Sequence, residues 1–203
     1  MTTISPTDAL NGMATRVATE YDAPAKFMHW LAVLLILAEF PIGWLMPPTG
    51  RGEVPAAAVN LHFTFGMMIL ALFTVRFIWR LAHPVPMEAS LPEAQKRIAH
   101  AAHTLLYGLV FATLFAGWAH ASVRGWPIKL FGLVPVPPIC AKGSEIGHLI
   151  GSFHKTFGLL FLVLIAIHVT GVLYHHLVQG DRILARTLPR DAKAARRPAR
   201  ALV

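Results

Sequence analysis

Cysteine is all but missing from this chain: Cys140 is the only one. A single thiol excludes an internal disulfide and any Cys-rich zinc or iron–sulfur site. Charge is scarce as well, at 14% of residues, little more than half the share a soluble domain carries. Acidic side chains are the scarcest, 10 against 18 Lys and Arg, for a net charge of +8 and a sequence pI near 10.3. Such a basic balance suits nucleic acid, but these cations fall between and after long apolar segments, where they set orientation in a bilayer. Nucleic acid is therefore excluded as a partner. The first 22 residues lack the short apolar core and small-residue cleavage site of a signal peptide, and no internal repeat is evident.

What the chain has is apolar length. Hydrophobic residues make up 55% of its 203 positions, and mean hydropathy is +0.55. Crossing about 30 Å of hydrocarbon takes about 20 helical residues, and four segments qualify, near 26–46, 58–81, 98–123 and 152–178. Pro- and Gly-rich stretches separate them: Pro47 to Gly52, His83 to Pro86 and the long stretch Gly125 to Gly151, all turn chemistry. Pro41 lies inside the first span and is expected to kink it, which membrane helices tolerate. Thirteen Lys and Arg fall on the side of the termini and second connection, five (Arg51, Arg124, Lys129, Lys142, Lys155) on the other. The positive-inside rule then puts both termini in the cytoplasm. Trp44, Trp118 and Trp126 would sit near the outer interface, Trp30 and Trp79 near the inner. The expectation is an all-α membrane protein, a four-helix up-and-down bundle over 23–189, with a flexible cytoplasmic lead-in (1–22) and a basic, lipid-attracted tail (190–203).

Eleven histidines in so apolar a chain need a reason, because a polar side chain inside a span is costly and usually faces a partner or cofactor. His29 falls early in the first span, near the cytoplasmic side, and His62 early in the second, near the outside. His154 opens the fourth span from outside, with His168 fourteen residues on. Fourteen steps of 100° end within about 40° of four whole turns and advance about 21 Å, so these two share a face at opposite depths. Matching depths pairs His29 with His168 and His62 with His154. Two imidazole pairs at two levels are what two six-coordinate b haems require, and without a C-x-x-C-H sequence the haems would be non-covalent. The pairs are too far apart to share one zinc ion; buried, inert histidines are the plainer alternative. Gly66 and Gly158 each follow a proposed ligand by four residues and Gly171 follows His168 by three, leaving room for a macrocycle edge or, alternatively, for close helix packing.

His175 lies nearly under His168, while His100 and His103 begin the third span at the same level as Arg76 and Arg80. These could bind haem propionates or a quinone head group, or simply snorkel to the interface. His83, His120 and His148 lie in or near connections, where solvation is the simpler reading.

The ordered motifs Lys26-Phe27-Met28-His29-Trp30, Leu61-His62-Phe63-Thr64-Phe65-Gly66, Val75-Arg76-Phe77-Ile78-Trp79-Arg80-Leu81, His103-Thr104-Leu105-Leu106-Tyr107, His154-Lys155-Thr156-Phe157-Gly158 and His168 to His176 resemble the bacterial cytochrome b561 family. That family falls within a wider group that includes the cytochrome b subunits of hydrogenases and formate dehydrogenases. The resemblance runs from about residue 21 to 189. It implies a bacterial inner-membrane protein, two b haems ligated by His29, His62, His154 and His168, and quinone as the inner redox partner. Stand-alone members of this length imply oxidation of superoxide outside with electrons passed to ubiquinone. Bis-imidazole irons leave no open coordination site, so superoxide would react by outer-sphere transfer at a haem edge. Lys155 beside the outer ligand, with Arg124, Lys129 and Lys142, could steer the anion, although Glu145 opposes and loop charges are often only solvated. Two other functions stay open: an anchor relaying electrons between quinone and a dehydrogenase or periplasmic cytochrome, and a non-redox transporter or metal carrier.

Overall fold

A computed structural model describes residues 21–49, 57–85 and 91–188. Apart from Tyr21 and Asp22, the expected lead-in lies outside these residues, as do the tail 190–203, Arg51 and the heart of the first connection.

Helix α1, Ala23–Leu45, starts where Asp22 accepts a hydrogen bond from the Ala25 amide at 2.9 Å, with Pro24 in its first turn, and continues through Pro41. Both are standard start signals: a side-chain acceptor for an orphan amide, and a residue with no amide to orphan. Helix α2 is Ala57–Ala82. Helix α3, Glu93–Arg124, closes on Gly125 at φ 66, a left-handed conformation open to glycine at no steric cost. A two-residue antiparallel pair, β1 (Lys129–Leu130) and β2 (Val134–Pro135), and a short helix α4, Glu145–Ser152, occupy the third connection. Helix α5, His154–Tyr174, passes into a π-helical turn, His175–Gln179, and a last short helix α6, Ile183–Thr187, follows.

Four membrane-length helical stretches are therefore present among the described residues, as the apolar runs predict. At 1.5 Å per residue, α1 to α3 are about 35 to 48 Å long, more than the hydrocarbon needs. Two details differ from expectation. Helix α3 begins five residues earlier, outside the apolar run, and residues 145–152 are helical instead of loop. Ser144 caps α4 by accepting from the Gly147 amide at 3.3 Å, and eight residues are too few for a hydropathy reading to register.

Helix α1 packs on α2, α3 on α5, α2 on α3, and α4 folds back against α3. The core is one apolar layer: Ala32 and Leu35 from α1, Ile69 and Phe73 from α2, Val110 from α3 and Phe161 from α5. Outward-facing Leu34, Leu37, Val163, Ile167 and Leu173 are exposed, which suits a chain whose solvent is lipid. Hydroxyls inside the spans bond to their own helix: Thr64 to the Asn60 carbonyl and Thr113 to that of Leu109, at 2.8 and 2.7 Å. Polar groups in hydrocarbon need such internal partners.

The bundle has a terminal end, where α1 begins and α5 finishes, and a distal end. At the terminal end the Trp79 indole donates to Asp22 at 3.0 Å and the Trp30 indole to the Thr187 carbonyl at 2.9 Å. At the distal end the third connection packs Ile128 on Val59 and Ala121, with Trp126 and Val136 beside them.

Candidate functional site

The apolar layer separates two histidine levels. Phe161 lies seven residues from both His154 and His168, so α5 carries one imidazole about 10 Å to either side of it. Helices α1 and α2 add His29 on the terminal side and His62 on the distal side.

At the distal level the structure brings His62 and His154 together, ring centroids 5.9 Å apart and planes at 74°. Two imidazoles each holding a shared metal through a nitrogen about 2 Å away have centroids about 6 Å apart. In both, Nδ1 faces a protein oxygen. His154 Nδ1 is 2.8 Å from the Thr113 carbonyl, and His62 Nδ1 is 2.9 Å from Glu39 Oε1. The first is an aligned hydrogen bond. In the second the oxygen lies off the N–H axis, so the distance alone is that of a bond. Tying Nδ1 fixes the tautomer and leaves Nε2 for a metal.

Glycines make room for these rings. A Cβ on Gly43 would stand 3.1 Å from His62 Cε1, and one on Gly117 only 2.7 Å from His154 Cε1. Gly66 and Gly158, singled out by their spacing, have looser surroundings: their nearest neighbours would be Glu39 Oε1 at 3.5 Å and Thr113 Cγ2 at 3.7 Å, while Gly171 meets nothing within 4 Å. A methyl group fits at all three, so helix packing does not require glycine there.

At the terminal level His168 makes its ring contact with His103, centroids 5.4 Å apart. His29 packs edge-on against Trp30 and has its Nδ1 3.4 Å from Arg76 Nη2. His29 and His168 are within electrostatic reach of each other and of Arg76. Arg76 also donates to the Ala25 carbonyl at 2.9 Å. His103 Nδ1 and the Tyr107 hydroxyl are buried without a hydrogen-bond partner. His175 pairs through Nδ1 with the Asp181 carboxylate, which also accepts from the Ile183 amide and so clasps the π-helical turn to α6.

Among the cations expected to steer an anion, Lys155, Lys129 and Lys142 are exposed at the distal end. Arg124 is held in place, donating to the Thr49 carbonyl at 2.9 Å and lying over the Trp126 ring. His120 has its ring against Trp126 and its backbone against Gly151 of α4.

Sequence reasoning passed over Glu39, Gly43 and Gly117. Glu39 carried a signal, a carboxylate within an apolar span. The two glycines carried none, because the side chains they accommodate belong to other helices.

The donor set fits b haem: imidazoles at two levels, those of the distal pair with Nδ1 facing protein oxygens, and glycines that protein packing leaves unexplained. Among the described residues no three His, Cys, Asp or Glu side chains converge as a multidentate metal site would need. The fold and site thus define a four-span membrane protein with inward-facing histidine pairs at two depths. The chain belongs to the prokaryotic cytochrome b561 family, whose family model matches residues 20–190. It is similar to cytochrome b561 homolog 2 of Escherichia coli K12, 26% identical over 88% of this chain and 96% of the relative. It is also similar to cytochrome b561 homolog 1 of the same organism, 28% identical over 81% and 94%. A third relative is the probable superoxide oxidase CybB of Yersinia pestis, 27% identical over 80% of this chain and 92% of that protein. Membership makes this a membrane electron-transfer protein and implies b-type haem.

Proposed function

We propose that this cytochrome oxidises superoxide at its distal end and reduces ubiquinone at its terminal end, across a bacterial inner membrane with both termini cytoplasmic. The observation that carries the reading is the placing of two histidine levels on either side of one apolar layer, at the depths a two-step electron path needs. His62 and His154 would hold the distal iron, His29 and His168 the terminal one. Bound there, b haem supplies a one-electron carrier at each level.

The remaining residues bind and orient. Lys155, adjoining His154, and Arg124, fixed on Trp126, draw a small anion to the distal end, and exposed Lys129 and Lys142 add to the field; Glu145 subtracts from it. Such a field raises encounter rates with an anion. At the terminal end Arg76, His103 and His175 supply donors for propionates or quinone carbonyls, and Gly66 and Gly158 clear the macrocycle edges. Two superoxide anions each give up one electron and leave as dioxygen, and ubiquinone takes both electrons with two protons to become the quinol. Similarity to a probable superoxide oxidase supports this assignment.

The test mixes purified protein with a superoxide source and a soluble ubiquinone. Accelerated superoxide loss coupled to quinol formation is expected. Intact haems without acceleration would instead favour an anchor relaying electrons between quinone and a partner dehydrogenase or periplasmic cytochrome. A preparation without a two-haem b-type spectrum would leave only a non-redox role.

A further inference from the structure

Among the described residues, Glu39 is the one acidic side chain inside a membrane-crossing helix that lies beyond that helix's first turn. An ionisable group at that depth is expensive and needs a named partner. Its partner is His62: Oε1 stands 2.9 Å from Nδ1, and the Glu39 side chain is only 14% exposed. Oε2 is buried without a hydrogen bond.

The surroundings are built for this pair. Gly43 follows Glu39 by one turn of α1, and Gly66 follows His62 by one turn of α2. A Cβ on Gly43 would press on the His62 ring at 3.1 Å, and one on Gly66 would come within 3.5 Å of Glu39 Oε1. Helix α1 thus leaves out a side chain where α2 presents the His62 ring, and a methyl group at Gly66 would only touch the carboxylate. The opposite imidazole, His154, is tied to the neutral Thr113 carbonyl, so the two members of one pair have unlike anchors.

Resting on the reading of His62 and His154 as axial ligands, we propose that Glu39 is the positioning residue of the distal centre: it orients His62 and, as an acceptor stronger than a carbonyl, holds that centre's reduction potential down. A carboxylate behind a ligating imidazole makes the ring more basic and stabilises the more positive state of the metal. The terminal level, about 21 Å further along α5, feels this anchor far less than the distal one.

The experiment uses full-length, haem-replete protein and follows optical redox titrations and the ferric electron-spin resonance signals of Glu39→Gln and Glu39→Asp. In Glu39→Gln both haems are expected to remain, one midpoint to rise with a changed ferric signal, and the other to stay put; Glu39→Asp should bring the shifted midpoint back toward wild type. Two haems with both midpoints unchanged in Glu39→Gln would overturn the proposal. If Glu39→Gln loses a haem, Glu39→Asp decides: regaining it supports a carboxylate anchor, whereas loss in both reduces Glu39 to packing and overturns it. His62→Ala tests the underlying reading separately, since two unaltered haems in that variant would remove the ligand itself, whatever Glu39 does.

Discussion

Gly117→Ala probes the distal site with a single methyl group. The new Cβ would stand 2.7 Å from Cε1 and 2.8 Å from Nδ1 of His154, closer than carbon atoms pack, so the ring must move. It is not free to do so, because its Nδ1 is bound at 2.8 Å to Thr113, one turn earlier on the same helix as Gly117. Swinging away from the methyl group stretches that bond. Losing it costs about 1 kcal/mol, and crowding a packed site costs about 1–3 kcal/mol more. The helix-forming advantage of alanine acts equally with and without haem, so it cancels from the affinity. The sum, about 2–4 kcal/mol, corresponds to roughly 30- to 1000-fold weaker haem binding at one level, at 1.4 kcal/mol per tenfold. The assay is haem per chain together with the rate of haem transfer to a scavenger, the two haems being told apart by their midpoints. One haem is expected to leave rapidly and the other at the wild-type rate. Gly108→Ala, where a Cβ meets nothing within 4 Å, should keep both. Wild-type retention of both haems in Gly117→Ala would refute the argument that His154 is a ligand fixed from α3.

His29→Ala and His168→Ala should each remove one haem and spare the other, whereas His103→Ala should keep two; retention of both haems in His29→Ala with loss of one in His103→Ala would assign the terminal iron to the His103 and His168 rings that touch in this structure. Lys155→Glu should slow the superoxide reaction several-fold at low ionic strength and flatten its salt dependence, as expected of a steering charge. An unchanged rate with unchanged salt dependence, measured by stopped flow, would leave Lys155 merely solvated.

The spans were legible because the bilayer imposes a length, and few segments of a 203-residue chain can meet it. The histidine levels were legible because His154 and His168 lie on one helix, where spacing alone sets both face and depth. Gly66 and Gly158 are picked out by their offset from a histidine of their own helix, yet a methyl group fits at both. Gly43 and Gly117 could not, since each answers to an imidazole arriving from a neighbour, and only the packing of α1 on α2 and of α3 on α5 brings the two together. Arg124 shows the same limit from another side. A charge count places it at the distal end, but its bond to the Thr49 carbonyl depends on how the connections close. Helix α4 escaped notice because its cap, Ser144, sits inside a stretch otherwise rich in turn residues.

The two histidine levels differ in the charges around them, and with haems held as proposed the difference would give an electron path a direction. The terminal level carries a cation: the Arg76 guanidinium stands 3.4 Å from the His29 ring. Positive charge near an iron favours its reduced, less positive state, so Arg76 would raise the potential of a haem held there. The distal level has Glu39 against His62, which would favour the oxidised state and lower the potential of a haem held there. With the axial pairs as proposed, an electron entering beside Lys155 would run downhill to the level of Arg76, toward the end assigned to quinone. Removing either contribution should narrow the gap between the two midpoints. Glu39→Gln would do so by raising the lower midpoint and Arg76→Gln by lowering the upper, and because the groups sit at opposite levels of the bundle the two shifts should add.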